Sequence, residues 1–337
     1  MTTFKKKRIL AALIIMMSCI TARQESPAQS SSLTAFYTAP VVSMAPMWIA
    51  KEAGFFKKHG LDVRLVFIAS GPLGTTSILS GDVDVGIIGG FAPIRAISGG
   101  AKNLVMIGQS KNRMTGAIVG KPEIARVQDL KGKRVGIDRV GSNPDMFTQA
   151  ALARFQIDPL KDVQYIQLGS IGQGIPALKA GTIDALTTST PHDLFAQRLG
   201  FKVILDITAM KIPFAATVLA SARNTVERKQ SELTRFMRAY AEAVHYYLTN
   251  EEGTSRIVSK YTKVEERDVV SHSIRSEAAA MERTLQVDPK GIELILGLIS
   301  KTMPQAASAK PEEFYDQRFF TELRDSGFLK RLWSDKL

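Results

Sequence analysis

A segment of the chain occurs twice, at residues 62–84 and, without any gap, at residues 162–184. The two copies share six identical pairs in register: Asp62/Asp162, Val63/Val163, Ser70/Ser170, Gly74/Gly174, Gly81/Gly181 and Asp84/Asp184. Any two strand–helix–strand units share glycine and aspartate at their turns, which is the alternative explanation. Since the predicted elements also coincide, we favour two lobes built alike, and a repeat of this kind constrains the whole architecture.

Short apolar strands alternate with helices in both copies. In the first copy and the segment before it, we predict strands at 33–37, 62–67 and 83–88 and helices at 46–53 and 72–80. In the second copy and the segment before it, we predict strands at 134–138, 163–168 and 183–187 and helices at 144–155 and 173–179. Glycine and proline separate these elements, as in βαβ units. The pattern predicts an α/β fold with two lobes, each a mainly parallel sheet flanked by helices.

Two extended segments would connect the lobes and act as a hinge, since a few backbone rotations there move whole lobes. They are Thr115–Val119 and Phe214–Ser221. The chain then becomes helical, with predicted helices at 227–248, 251–260, 265–283, 289–300 and 311–325. We therefore assign residues 33–118 plus 214–337 to lobe 1 with its C-terminal helices, and 119–213 to lobe 2.

The first 32 residues have the layout of a secretory signal peptide and linker. Four basic residues at positions 5–8 precede about a dozen apolar residues, too few for a membrane-spanning helix, which needs about 20. Cys19 ends the apolar run, as at a bacterial lipoprotein cleavage site, although Met16 stands where such sites usually carry leucine. Ordinary cleavage after Ala22 or Ala28 is the alternative. Both interpretations predict an exported, periplasmic protein.

Composition excludes several classes of function. Cys19 is the single cysteine, so the folded body would have no disulfide, thiolate metal site or cysteine nucleophile. Four scattered histidines do not suggest a metal centre, and no cofactor motif occurs. The formal net charge is +12, yet no Lys/Arg run interleaved with aromatic residues suggests nucleic acid. A mild positive excess is compatible with a small anionic ligand.

Four sequence blocks together resemble one family. Residues 46–63, PMWIAKEAGFFKKHGLDV, look like the opening signature of the sulfonate, nitrate, taurine and thiamine-precursor binding proteins of ABC importers. Three further blocks follow in the family's order, at 79–86, 129–136 and 177–185. The resemblance runs from about residue 33 to residue 247.

This resemblance implies a type II periplasmic binding protein that holds one small, anionic or heteroaromatic solute between its lobes. Such a protein delivers the solute to an ABC permease and its ATPase, works as a monomer, and touches the membrane only where Cys19 carries a lipid anchor, which is one of the two interpretations of the leader. Relatives with this fold also include pyrimidine-precursor synthases and a desulfinase with a cysteine nucleophile, so an enzyme is the alternative. A sensor ectodomain would need a second membrane segment. We expect a binding protein without catalytic residues.

Ligands of open α/β sheets lie beyond the carboxyl ends of the strands. Helix starts at these turns offer free N–H groups to an anion, although serine, threonine, asparagine and glycine are also ordinary caps. The candidate ligand-binding residues are Tyr37, Thr38, Ser70, Gly71, Gly89, Gly90, Phe91, Gly141, Ser142, Asn143, Thr188, Ser189, His192 and Phe214. Tyr37, Phe91 and Phe214 would supply apolar surface, and His192 begins a helix in lobe 2.

Overall fold

A computed structural model of the protein describes residues 31–334. The interpretations of the leader, namely lipid attachment at Cys19 or cleavage after Ala22 or Ala28, lie outside these residues. Within 31–334, no helix is both long enough and apolar enough to cross a membrane.

Within residues 31–334, ten strands form two five-stranded sheets of the same topology. The first sheet, in lobe 1, contains β1 (Ser31–Tyr37), β2 (Leu61–Phe67), β3 (Val85–Ile88), β4 (Leu104–Arg113) and β10 (Pro213–Ala222). The second, in lobe 2, contains β5 (Ala117–Gly120), β6 (Arg134–Ile137), β7 (Gln164–Gln167), β8 (Ala185–Thr188) and β9 (Lys202–Asp206). The strand orders are β2-β1-β3-β10-β4 and β7-β6-β8-β5-β9. Strands β2, β1 and β3 of the first sheet therefore correspond to β7, β6 and β8 of the second.

Each sheet is mainly parallel with one reversed strand. In lobe 1, β1 pairs with β3 in parallel, and β10 runs antiparallel to both β3 and β4. In lobe 2, β6 pairs in parallel with β7 and β8, and β5 runs antiparallel to β8 and β9. The reversed strands begin just after each crossing between the lobes, at the predicted extended segments. The predicted fold class is confirmed.

The register of the sheets explains the repeat in the sequence. Ala35 pairs with Val85, and Val135 pairs with Ala185, so the lobes correspond at an offset of 100 residues. The Thr34 N–H donates to Asp84 Oδ2 (2.8 Å), and the Arg134 N–H donates to Asp184 Oδ2 (3.1 Å). Asp84 therefore fixes β1 beside β3, and Asp184 fixes β6 beside β8.

The helices differ from the predictions mainly after β10. They are α1 (Ala45–Glu52), α2 (Phe55–Lys58), α3 (Gly71–Ser80), α4 (Phe91–Ser98), α5 (Asn143–Ala153), α6 (Gly174–Lys179), α7 (His192–Arg198), α8 (Arg223–Arg228), α9 (Gln230–Thr249), α10 (Glu251–Thr262), α11 (Arg267–Ala278), α12 (Pro289–Ile299), α13 (Arg318–Asp325) and α14 (Phe328–Trp333).

Three details of the predicted elements were wrong. The single helix predicted at 227–248 is α8 and α9, separated at Lys229, whose φ of −120° is not helical and whose Nζ reaches Asp84 Oδ1 at 2.7 Å. The helix predicted at 311–325 is a 3-10 turn at Pro311–Phe314 followed by α13. Strands β4 and β9 and helices α2, α4 and α14 were not predicted.

The apolar stripe predicted on α9 is confirmed. All six of its members are buried: Leu233, Phe236, Met237, Tyr240, Val244 and Tyr247. They pack in one core with α1, where Trp48 is fully buried. This helical layer covers one face of the first sheet and leaves the carboxyl ends of its strands turned toward lobe 2.

Candidate ligand-binding site

Both lobes line one cavity at the carboxyl ends of their strands, with about 70 Å³ of water-accessible space. That volume exceeds the roughly 10–15 Å³ needed by one water and holds a few small groups. The lobe 1 lining is Thr38, Ala39, Val41, Ser43, Met44, Ser70, Gly71, Gly89, Lys111, Thr115, Ala216 and Thr217. The lobe 2 lining is Asp138, Ser142, Asn143, Pro144, Phe147, Ile171, Thr187, Thr188 and Ser189.

Ser70 has an unusual backbone at the lobe 1 wall. Its φ of 85° and ψ of 154° lie in a region that favours glycine and costs a residue with a side chain about 1–3 kcal/mol. Its side chain is 2% exposed, and its hydroxyl has no hydrogen-bond partner among residues 31–334. Gly71 begins α3, and Pro72 has no N–H, so the first turn of the helix presents the Gly71 amide at the cavity. An oxygen-rich ligand group would satisfy both donors.

The opposite wall is the start of α5 in lobe 2. Ser142 caps this helix by accepting a hydrogen bond from the Asp145 N–H at 3.4 Å. The same hydroxyl donates to Asp138 Oδ1, which also accepts the Arg139 N–H at 2.8 Å. Burial raises the pKa of Asp138 to about 6, against the lowering by these hydrogen bonds. Asp138 therefore remains mostly ionised at neutral pH, at some cost in free energy.

A buried ion pair lies beside the hinge. Lys111 Nζ is 2.9 Å from Glu277 Oε2 and donates to Thr115 Oγ1 at 2.6 Å. Thr115 Oγ1 in turn donates to Glu277 Oε1 at 2.7 Å. The Lys111 and Glu277 side chains are only 5% and 2% exposed. Since Lys111 and Thr115 line the cavity, this triad brings one lysine to the ligand space with its charge already balanced.

The lobes touch each other around the cavity. Asn143 Nδ2 donates to the Ala216 carbonyl at 2.7 Å, and the Val42 N–H donates to the Thr190 carbonyl at 3.3 Å. A Cβ atom on Gly89 would lie only 2.4 Å from the Asn143 amide carbon. The absence of a side chain at Gly89 therefore permits this approach. The structure is a closed arrangement of the lobes.

Eight of the fourteen predicted site residues line the cavity. They are Thr38, Ser70, Gly71, Gly89, Ser142, Asn143, Thr188 and Ser189. The structure brings these eight together from five strand-to-helix turns, after β1, β2, β3, β6 and β8.

The other six predicted residues lie outside the cavity lining. Phe91 and Gly141 line a separate groove along α5. Gly90 packs on the backbone of β10, where its N–H donates to the Ala215 carbonyl at 3.0 Å. Tyr37 contacts the Trp48 ring edge-on, with 5.5 Å between the centroids.

Phe214 and His192 are also placed elsewhere. Phe214 is fully buried and meets Phe147 edge-on, with 5.2 Å between the ring centroids. Phe147 itself reaches the cavity, so Phe214 supports its wall from behind. Burial lowers the pKa of His192 to about 4, which keeps its imidazole neutral at neutral pH.

Several residues that line the cavity were not among the predicted ligand-binding residues. The polar ones are Ser43, Lys111, Thr115, Asp138, Thr187 and Thr217. Asp138 could have been found, because it is the last residue of a predicted strand, at the carboxyl end where ligands of such sheets lie. Lys111 gave no such indication, since β4 was not predicted and its partner Glu277 is 166 positions away. Among residues 31–334, no group of three or more His, Cys, Asp or Glu side chains could hold a metal ion.

Two lobes of this topology around a shared polar cavity define the class of periplasmic binding proteins. The model of the family described as NMT1/THI5 like matches residues 42–253, well over half of the chain. The chain belongs to that family.

Individual relatives agree with this assignment. YtlA of Bacillus subtilis, named as a binding protein, is 25% identical over 224 residues, which span 64% of this chain and 66% of YtlA. The alkanesulfonate-binding protein SsuA of Xanthomonas axonopodis, bound to MOPS, shares the fold with a TM-score of 0.71 and 17% identity, covering 84% of this chain and 96% of SsuA. The periplasmic nitrate-binding protein NrtA of Synechocystis has a TM-score of 0.73 and 15% identity, covering 88% and 89%.

Proposed function

We propose that this protein is the extracytoplasmic solute-binding component of an ABC importer. It captures one small anionic or heteroaromatic solute between lobes 1 (33–118 plus 214–337) and 2 (119–213) and delivers it to the permease, whose ATPase supplies the energy. The family assignment and the binding proteins among its relatives support this role. On this proposal the chain is exported and acts in the periplasm as a monomer.

One observation carries the proposal most directly. The cavity between the lobes is lined by polar atoms that have no hydrogen-bond partner among residues 31–334, including Ser70 Oγ, Thr188 Oγ1 and Asn143 Oδ1. An unpartnered buried polar group costs about 1–3 kcal/mol, so such groups call for a partner from outside the chain. A bound solute supplies those partners when the lobes close.

Closure would turn on the two crossings between the lobes. Met114 in the first crossing donates its N–H to the Ile212 carbonyl in the second at 3.0 Å. The Gly116 N–H donates to Thr208 Oγ1 at 2.8 Å. Paired crossings of this kind localise a rotation to a few residues. A solute that prefers the closed state by a few kcal/mol shifts the population strongly toward it.

We propose binding without chemical conversion. The cavity lining contains neither cysteine nor histidine. Ser142 donates its hydroxyl proton directly to Asp138, so no histidine base lies between them as in a serine nucleophile triad. The lining supplies hydrogen-bond donors and acceptors, which is what reversible capture requires.

The test combines native mass spectrometry with thermal unfolding of the exported protein. We expect a co-purified or added small molecule at one per monomer and a raised unfolding temperature. At 100 times Kd, binding adds about 2.7 kcal/mol to the free energy of unfolding. The ligand should be recovered unchanged, and recovery of a converted product would overturn the proposal.

A matched pair of variants tests the location of the site. Ser70 and Thr75 both carry buried hydroxyls without a partner among residues 31–334, but only Ser70 lines the cavity. We expect Ser70→Ala to weaken binding and Thr75→Val to leave it unchanged. Equal effects of the two variants would place the ligand elsewhere.

A further inference from the structure

Asp138 places a carboxylate at the cavity wall that forms no ion pair with another side chain of residues 31–334. Its Oδ1 accepts the Ser142 hydroxyl and the Arg139 N–H. The charged residues of the cavity lining are Asp138 and Lys111. Glu277 already balances Lys111 at 2.9 Å, so the negative charge of Asp138 is left uncompensated. A buried carboxylate is costly unless something pairs with it.

Asn143 adds a second acceptor at the same wall. Its Nδ2 donates to the Ala216 carbonyl at 2.7 Å, and this bond fixes which way the amide faces. Its Oδ1 is buried and has no partner among residues 31–334. Because the Ser142 proton already goes to Asp138, the start of α5 presents the Asp138 carboxylate and Asn143 Oδ1 as acceptors, while the Thr188 hydroxyl is a donor available on the same side. A ligand made only of acceptor atoms would leave both Asp138 and Asn143 unsatisfied.

The opposite wall has the complementary chemistry. Ser70 offers a free hydroxyl and Gly71 an amide at the start of α3, and Lys111 lies beside them in the lining. Helix starts favour negative charge. Both walls contain a helix start, but within the cavity lining the one carboxylate, Asp138, lies on the lobe 2 side, whereas the lobe 1 side presents donors without a carboxylate.

We infer that the solute is amphoteric: it directs a hydrogen-bond-donating nitrogen, an ammonium or an amino or ring N–H, at Asp138 and Asn143, and an acidic or acceptor group at Ser70 and Gly71. This inference rests on the proposed function, because it specifies the ligand of the same cavity. It makes Asp138 the residue that distinguishes an amino-bearing solute from a simple anion.

The experiment compares matched probes that differ only in the nitrogen. The pairs are taurine against ethanesulfonate, β-alanine against propionate, and 4-amino-2-methylpyrimidine against 2-methylpyrimidine. Binding is measured by calorimetry on the wild-type protein, on Asp138→Asn and on a control, Asp145→Asn. Asp145 is a buried carboxylate on α5 that accepts the Gly141 N–H at 2.8 Å and faces the separate groove.

In the wild type we expect the nitrogen-bearing member of a binding pair to be favoured by about tenfold to a hundredfold, as for a hydrogen bond to a charged group. Asp138→Asn should reduce that preference to a few-fold, while Asp145→Asn should preserve it. Equal affinity within each pair, or an unchanged preference in Asp138→Asn, would overturn the inference and leave solute binding intact. Absence of binding by every probe, together with no ligand by native mass spectrometry, would overturn both.

Discussion

The two lobes share one framework and differ at the residues that face each other. Registers of the sheets equate Thr38 with Asp138, and β3 with β8 at the same offset of 100. The repeated aspartates fix both frameworks in the same way. At the cavity, however, lobe 1 presents Thr38 where lobe 2 presents a carboxylate. The repeated aspartates and the strand pairing hold the framework of each lobe, while the turns at the cavity are free to diverge.

The lobes also differ in what supports them. Helices α9, α10 and α11 pack against lobe 1 in one large core. One core of lobe 2 is small and consists of Ala117, Val119, Leu178, Ile183, Leu186 and Ala196. Lobe 1 carries in addition the buried pair of Lys111 and Glu277. Other lobe 2 residues, such as Val135 and Leu152, pack in a larger core together with lobe 1 residues. Since Asp184 accepts bonds from two cationic side chains, we expect lobe 2 to depend more on its aspartate than lobe 1 does on Asp84.

Breaking the buried pair of lobe 1 should have the largest effect. Glu277→Gln leaves the Lys111 charge without its partner, and we expect a loss of about 3–5 kcal/mol in the free energy of unfolding. Urea denaturation measures the loss. As control, the double change Lys111→Met with Glu277→Leu removes both charges and should restore most of the stability. A loss under 1 kcal/mol for Glu277→Gln would show that water reaches the pair.

The repeated aspartates allow a direct comparison of the two frameworks. Asp184 accepts bonds from Arg134 Nη2 and Lys121 Nζ, both at 2.7 Å. Within residues 31–334, Lys229 Nζ at 2.7 Å is the one side-chain donor to the Asp84 carboxylate. We expect a loss of about 2–3 kcal/mol for Asp184→Ala and about 1–2 kcal/mol for Asp84→Ala in urea denaturation. Equal losses would contradict the idea that lobe 2 depends more on this bond.

The Asp184 effect should depend on pH. Hydrogen bonding to Arg134 holds the pKa of Asp184 far below its usual range. A lowered pKa stabilises the fold above the unfolded-state value of about 3.9, and this stabilisation is lost as the pH falls further. The difference between wild type and Asp184→Ala should therefore shrink in acid.

Asp138 and Thr38 occupy equivalent positions in the two lobes, and the pH dependence of stability should distinguish them. The pKa of Asp138 is raised by burial to about 6, so the folded protein takes up a proton before the unfolded chain does as the pH falls. Wild-type stability from this group therefore increases between pH 6 and pH 4. Asp138→Asn should be about 2 kcal/mol more stable than wild type at pH 8, with no difference near pH 4.

Thermal or urea unfolding across this range measures the effect. Asp193 and His192 titrate in both proteins and cancel in the difference. The control Thr38→Ser should show no such pH dependence relative to wild type. A constant offset for Asp138→Asn at all pH values would contradict the assignment.

The smallest effect is expected where the lobes approach each other. Gly89→Ala would push its Cβ against Asn143, which opposes closure, so we expect at least about a tenfold loss of solute affinity. Gly297→Ala is the control, because nothing lies within 4 Å of its Cβ position on α12. That change should leave affinity unaltered and stabilise the helix by up to about 1 kcal/mol. Calorimetric titration distinguishes the two.

The fold class and several turns at the cavity could be predicted from local sequence patterns. Alternating strands and helices, glycine stops and the repeat of 100 residues predicted the fold class and the turns that hold Ser70, Ser142 and Thr188. Local patterns failed where burial overrides them. β4 contains Gln109, Ser110 and Lys111, and all three are buried. Three consecutive polar residues do not indicate a buried strand.

The sequence by itself determined the two lobes, because hydrophobic periodicity and turn residues act over short distances along the chain. Only the tertiary structure decided the chemistry of the cavity. It brings Lys111 to Glu277 across 166 positions and leaves Asp138 and Asn143 as acceptors opposite Ser70. Charge balance and burial are properties of groups that meet in space, so they follow from the packing of both lobes rather than from any one segment.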